Sequence, residues 1–501
     1  MTDTEAPTAR GAGSVLATSC LSTFVVNANT SAVSILLPSI SEDLAAPISL
    51  LQWAVTGYLL VGAATIVTTG AMGDVFGRRL MFVAGLGLFV ASCVLLALAP
   101  SGEVVVLGRV IQGASGAAIL ATGLSLLSVA TSGPARLRAV TLWGAASAAG
   151  AAAGPVVGGV LAEATGWQGL FWIDAAIAAV CIPWVLAAVP ESRDPDRPRS
   201  IDLAGTVLVA AILAPLVFAV TEGGNWGWAS PATLGCFAVS VAATVGFVLV
   251  ERRVPAPLVD LALLRNIMLV GSTVAILIGA GAIAGISFLI SLYFQDPAAF
   301  GMSSLEAGLA CLPVAALVVV AAPVITPLAN RFGGRPVVVL GFVLLTGGFV
   351  ALAFVDASWT YLAFLPGLLA VAVGLSFSNG PASSAATASV PPAQVGAASG
   401  ISNMARYVGG AVVTAIVSGI YTSTDAAKTA AGVAPPDALA TAFSRAVIAL
   451  AIVSVLGIPL ARRAGRRPRP NAAELAAAAA STIHTIPVPP EREARPVGGT
   501  V

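Results

Sequence analysis

The chain has 501 residues, of which 57% are hydrophobic and 9% charged, with a formal net charge of +1. A soluble domain carries roughly 25% charged residues, so this composition excludes an ordinary water-soluble globular protein. The net charge says nothing about nucleic acid, and no basic stripe suggests it as a partner.

The only histidine, His484, lies near the C-terminus, so no histidine-based catalytic or metal site is expected in the apolar region. Cys20, Cys93, Cys181, Cys236 and Cys311 sit in apolar stretches without metal or redox spacing and read as packing residues. No metal and no cofactor are therefore expected. Arginine far outnumbers lysine, Lys428 being the only lysine, and alanine and glycine abound. That bias fits the GC-rich coding of a bacterium.

Apolar stretches of about 20 residues recur along most of the chain, each long enough to cross a roughly 30 Å hydrocarbon core as a helix. Hydropathy places fourteen spans at 15–38, 50–71, 79–99, 104–130, 139–162, 168–189, 203–221, 231–250, 267–294, 305–328, 336–355, 359–380, 396–421 and 441–461. The first follows Arg10 but is longer than a signal-peptide core, so it reads as a permanent span.

Charges orient the spans. Loops after even-numbered spans carry Arg78, Arg79, Arg136, Arg138, Arg252, Arg253, Arg331 and Arg335 among others, and the tail adds more from Arg462 onward. The opposite loops carry Lys428, with Arg445 close by, and the acids Glu42, Asp43, Glu103, Glu163, Glu222, Asp296, Asp356 and Asp425. The positive-inside rule then puts both termini in the cytoplasm of a cell bounded by this membrane. The tail, with its alanine run Ala476–Ala480 and prolines Pro487, Pro489 and Pro490, reads as a disordered extension holding a short helix.

One internal echo sets the organisation. Gly70-Ala-Met-Gly-Asp74-Val-Phe-Gly77-Arg78-Arg79 follows span two, and Thr326-Pro-Leu-Ala-Asn330-Arg-Phe-Gly333-Gly334-Arg335 follows span ten. The second reads as a degraded copy of the first. A parallel repeat explains it, as in secondary transporters, whose substrate site lies between the halves. The expected units are a six-helix bundle at 1–200, two inserted helices at 201–265, a second six-helix bundle at 266–465 and the tail at 466–501.

Gly70 to Arg79 resembles the loop signature of the major facilitator superfamily. Leu107-Gly-Arg109-Val-Ile-Gln112-Gly113 resembles its fourth-span motif, and Gly150-Ala-Ala-Ala-Gly154-Pro155-Val-Val-Gly158-Gly159 the fifth-span motif of its exporters. Gln52-Trp53-Ala-Val-Thr56-Gly-Tyr58 resembles the second span of the fourteen-span drug–proton antiporters, with less specific matches at Trp226-Gly-Trp228 and Ala397 to Gly410. The resemblance covers most of residues 15–462. It implies an all-helical, polytopic membrane protein with the major facilitator fold, two six-helix bundles plus two inserted helices.

It also implies roles. Gly70, Asp74, Gly77, Arg78 and Arg79 would form a conformational latch, with Val75 standing where a basic residue is usual. Gly150, Gly154, Pro155, Gly158 and Gly159 would form a hinge. Read physically, the three glycines four apart make a smooth stripe for a neighbouring helix, and the proline lacks a hydrogen-bond donor. Arg109 would take part in proton coupling. A buried arginine costs at least about 2.5 kcal/mol, so Arg109 and Arg406 should face a wet cavity or a partner, although Arg109 is near enough to a span end to snorkel.

Span one departs from the family. An aspartate usually stands nine residues before Pro38, but here the residue is Asn29, which hydrogen-bonds without titrating. Asp174 stands where the family usually has asparagine. It reads as a solvated aspartate at the membrane interface, the alternative being a relocated proton site, and Glu306 is a further candidate for carrying the proton. Asn29, Ser31, Tyr58, Gln112, Asn403 and Arg406 are the candidate substrate-binding residues. The tryptophans near span ends read as an interfacial belt.

No Walker motif is present, so ATP is not the expected direct drive, and no catalytic constellation points to an enzyme. The expected function is export of small amphipathic drugs or antibiotics by alternating access across a bacterial plasma membrane, driven by protons. The expected protein is a monomer in the lipid bilayer. The alternative is an importer or uncoupled facilitator of a small metabolite with the same fold.

Overall fold

The computed structural model describes residues 9–464 apart from 132, 195–200, 256 and 391–393. The tail, with its expected short helix, lies outside these residues, as do Arg197, Arg199 and Ser200. Fifteen α-helices and one 3-10 turn, Leu263–Arg265, account for the ordered elements, with no strand among the described residues. The helices are α1 Ala9–Asp43, α2 Ile48–Phe76, α3 Arg78–Ala97, α4 Gly102–Ala130, α5 Gly133–Thr165, α6 Gln168–Ala188, α7 Leu203–Trp226 and α8 Pro231–Glu251. They continue as α9 Ile267–Gln295, α10 Ser304–Ala310, α11 Leu312–Phe332, α12 Gly334–Leu352, α13 Tyr361–Ala388, α14 Val395–Ala430 and α15 Pro435–Ala464.

Among the described residues, fourteen helical segments are long and apolar enough to cross a membrane. Two departures from the hydropathy reading have local causes. Span ten is split into α10 and α11 because Pro313 has no N–H to continue the ladder, and the Cys311 N–H turns back to Gly308 at 3.1 Å. The last three spans extend past their apolar cores because alanine, serine and threonine carry the helix on without raising hydropathy.

Helices α1–α6 pack among themselves, as do α9–α15, while α8 packs on α7 and α7 lies against α2 and α14, one helix from each bundle. The burial pattern is that of a membrane protein. Leu186, Val207, Val241, Leu249, Val320 and Leu362 point outward, whereas Arg109, Gln112, Asn29, Ser115 and Thr122 are fully or almost fully buried. Lipid tails satisfy the first group, and polar partners inside the bundles must satisfy the second.

The echoed loops keep their symmetry at the backbone. Gly77 and Gly333 both adopt positive φ, +129° and +87°, at matching positions between consecutive helices. A side chain there would be strained, which explains a glycine in each copy. Two tryptophans near span ends pack against protein groups. Trp167 is buried with its indole N–H donating to Asp43 at 2.9 Å, and Trp53 stacks on Phe218 of α7 with ring centroids 4.2 Å apart.

Candidate functional site

The densest buried polar cluster joins four helices of the first bundle. Arg109 on α4 is fully buried, and its Nε donates to the Ala54 carbonyl of α2 at 3.0 Å. Its Nη1 donates to Asn29 Oδ1 on α1 at 2.6 Å and also to Gln112 Oε1, one turn along the same face. The guanidinium lies over the Tyr58 ring, 4.3 Å from its centroid, a cation–π contact that partly replaces lost hydration. Its Nη2 has no partner and is the one open donor of the group.

Asn29 extends the chain. Its amide N–H donates to Asp174 Oδ2 on α6 at 2.7 Å, so carboxyl, amide and guanidinium stand in series. Asp174 is 5% exposed, which overturns the expectation of a solvated interfacial aspartate. The primary sequence places it one turn into a peripheral span, but α6 packs against α1 and α3 and turns that face inward. Arg109 likewise does not snorkel, because Ala54, Asn29 and Gln112 satisfy it where it stands.

The other candidates separate. Tyr58 joins the cluster, accepting from the Thr30 hydroxyl at 3.0 Å, and its ring lies 6.2 Å from that of Tyr407 on α14. Arg406 donates instead to Ser383 of α13 at 2.6 Å, inside the second bundle. Asn403, one turn earlier on α14, is half-buried. Glu306 is exposed and completes a capping box with Ser303 at the start of α10, so it stands apart from the Arg109 cluster.

Ser31 performs a different task. Pro155 leaves the Ala151 carbonyl of α5 without its helical donor, and the Ser31 hydroxyl fills that place at 2.9 Å. The glycine stripe explains how α1 comes so near. Gly150, Gly154 and Gly158 face Phe24, Ala28 and Ala32 of α1 at matched four-residue steps. A Cβ on Gly154 would collide with Ser31 Oγ and the Ala28 carbonyl, whereas one on Gly144 of the same helix would meet nothing within 4 Å. Gly154→Ala should therefore cost about 1–3 kcal/mol in thermal unfolding, and Gly144→Ala less than about 0.5 kcal/mol. Equal melting of the two variants would refute this account of the stripe.

The loop after α2 is tied to the end of α6. Arg78 pairs with Asp74 at 2.8 Å, while Glu191 accepts the N–H groups of Arg79 and Leu80 at 3.0 and 3.1 Å. Arg79 also donates to the Val189 carbonyl at 3.1 Å. Glu191 draws no attention in the sequence because it lies outside every motif.

The described side-chain hydrogen bonds between the bundles lie at the end of the spans opposite the termini, while α2 and α14 also touch further along, where Gly400 faces Val67. Pro38 frees the Ser34 carbonyl of α1, which accepts the Ser291 hydroxyl of α9, and Gln295 donates to Ile35 O at 2.9 Å. Ser39 and Ser304 bond at 2.8 Å, and the Ser418 hydroxyl of α14 donates to Gln52 of α2. Gly308 of α10 lies against the Pro155 carbonyl, where a Cβ would be 2.5 Å away. Toward the termini, α1 and α5 border an open groove of about 510 Å³ lined by Gly13, Leu16, Ala17, Cys20, Leu142, Ala145, Ala146 and Ala149.

Known proteins share this plan. The tetracenomycin C resistance and export protein of Streptomyces glaucescens is 32% identical over 396 residues, covering 77% of this chain and 71% of that protein. The multidrug efflux pump LfrA of Mycolicibacterium smegmatis is 32% identical over 410 residues, covering 81% and 80%. Among crystal structures, a peptide transporter POT in complex with sulfate superposes with a TM-score of 0.65 at 15% identity, over 91% of this chain and 95% of the other. A POT family transporter in complex with 5-aminolevulinic acid gives 0.66 at 12% identity, over 91% and 97%. These two show a shared fold. Two packed helical bundles, their duplicated loops and a match of residues 19–414 to the family model establish that the chain belongs to the Major Facilitator Superfamily.

Proposed function

We propose that this protein exports small amphipathic drugs or antibiotics across a bacterial plasma membrane by alternating access, in exchange for protons. The observation that carries the reading is the buried series Asp174, Asn29 and Arg109, a titratable carboxyl linked to a fixed positive charge in the heart of one bundle. Asparagine cannot titrate and arginine stays charged, so Asp174 is the group of this series that exchanges a proton. Tyr58 touches both Arg109 and Tyr407 of the opposite bundle, a route by which protonation reaches the moving interface. The names of the relatives support export of antibiotics or drugs, and the largely apolar groove between α1 and α5 suits a lipophilic molecule.

With both termini in the cytoplasm, the bundles are closed at the outer end and the state is inward-facing. Pro38 frees the Ser34 carbonyl, which the Ser291 hydroxyl of the opposite bundle can hold or release as the bundles rock. Residues 1–200 and 266–465 act as the two moving bundles, as a monomer, with 201–265 riding on their seam. Gly70 to Arg79 latches the first bundle, and Tyr58, Gln112, Asn403 and Arg406 line the path.

Inverted vesicles test the function. With an acidic lumen they should accumulate members of a panel of amphipathic dyes and aromatic antibiotics, and a protonophore should collapse the accumulation. Downhill entry insensitive to the protonophore across the whole panel would overturn export. Orientation has its own test. Cysteines placed at Ser230 and Thr429 should react with an impermeant maleimide in intact cells, and one at Ala135 should not; equal labelling of all three would reverse or refute the topology.

A further inference from the structure

A buried acidic pair lies in the inserted hairpin, away from the Arg109 cluster. Asp202 caps α7, its Oδ1 accepting the Gly205 N–H at 2.6 Å, while its Oδ2 has no partner. Glu251 ends α8, its Oε2 accepting the Val259 N–H at 3.3 Å, while its Oε1 has no partner. The residues are only 6% and 4% exposed. Both bare oxygens converge on one point, the space left by the missing side chain of Gly205. A Cβ there would collide with Asp202 Oδ2 and lie 2.9 Å from Glu251 Oε1.

No cation neutralises the pair among the described residues. Arg252 and Arg253 are exposed, as is Asp260 on the segment that follows. On α2, Asp74 is bound to Arg78; on α14, Arg406 is bound to Ser383. Glu222, Asp425 and Lys428 lie at the far ends of α7 and α14. A proton carried by Glu251 removes the repulsion between the facing carboxyls, and its O–H donated to Asp202 gives both bare oxygens a partner.

We propose that Glu251, with Asp202 as its acceptor, is a proton-binding site that holds the inserted hairpin closed at the end bearing the termini. The consequence travels by hydrogen bonds. Thr206, whose hydroxyl donates to the Asp202 carbonyl at 2.9 Å, also bonds to Thr68 of α2 at 2.5 Å. Thr68 stands just before the Gly70–Arg79 loop, and α7 touches α14 as well. Losing the proton puts two negative charges into one pocket, loosens the first turn of α7 from α8, and weakens its hold on α2.

Infrared difference spectroscopy on the full chain in nanodiscs tests this without any transport assay, so the result is independent of the export reading. At about pH 7 the wild type should show the C=O stretch of a protonated, buried carboxylic acid. Glu251→Gln should remove that band, and Asp202→Asn should remove the same band, since either leaves one carboxylate with an amide donor. Asp174→Asn should leave it in place. Asp202→Asn keeps an oxygen for the Gly205 N–H, so the measurement stands even if Glu251→Gln folds poorly. Thermal unfolding adds a second readout: the wild type should melt lower as pH rises from about 4.5 to about 7, and Glu251→Gln should show a smaller dependence. Spectra of both variants superimposing on the wild type, or a pH dependence of melting unchanged in Glu251→Gln, would overturn the site.

Discussion

Asp174→Asn should abolish proton-driven accumulation of substrate in inverted vesicles, a loss on the order of 100-fold, while downhill exchange persists. The change is nearly isosteric, and the amide still bonds to Asn29, so folding should survive. What disappears is the titratable group of the Asp174–Asn29–Arg109 series. The reciprocal exchange sharpens the test. Asn29→Asp combined with Asp174→Asn returns one carboxyl and one amide to the same hydrogen-bonded pair, with the carboxyl now directly on Arg109. That double variant should recover a substantial part of the accumulation, whereas Asn29→Asp alone puts two acids in contact and should not. Wild-type accumulation and wild-type proton release by Asp174→Asn would sink the assignment.

Arg109→Ala should eliminate export and destabilise the fold by about 3–5 kcal/mol, the usual cost of removing one member of a buried charged network. The loss has several sources: the Ala54 carbonyl, Asn29 Oδ1 and Gln112 Oε1 all lose a donor, and the Tyr58 ring loses its cation. Arg109→Lys keeps the charge but cannot reach three acceptors in one plane, so it should retain a small fraction of activity with milder destabilisation. Thermal unfolding in detergent measures the first effect, and transport by equal amounts of reconstituted protein measures the second. Adding Asp174→Asn to Arg109→Ala should cost less than the sum of the two, because the acid no longer needs compensation. Additive losses, or an unaltered melting temperature for Arg109→Ala, would show that the cluster is not an energetic unit.

Much of this protein is legible from one dimension. Fourteen spans, their duplicated halves and the inserted pair follow from hydropathy and from one echoed loop, because a bilayer demands a continuous apolar helix for every crossing. The glycine stripe of α5 is equally readable, since spacing along a helix determines which residues share a face. Arg109 stands out because an arginine inside an apolar run needs a reason to be there.

Partnership is another matter. Asp174 reads as interfacial from its place near the start of a span, and only the packing of α6 on α1 brings it to Asn29. Ser31 reads as a ligand group, and only the fold brings the Pro155-freed carbonyl of Ala151 beside it. Glu306 reads as a proton carrier, and only the folded chain shows that it also caps α10; Glu191 looks like nothing until it holds the backbone of Arg79 and Leu80. Depth in the membrane and the identity of each helix are thus written in local composition. Which face turns inward, and which polar group meets which, depends on contacts between residues far apart in the chain, and only the folded bundle decides them.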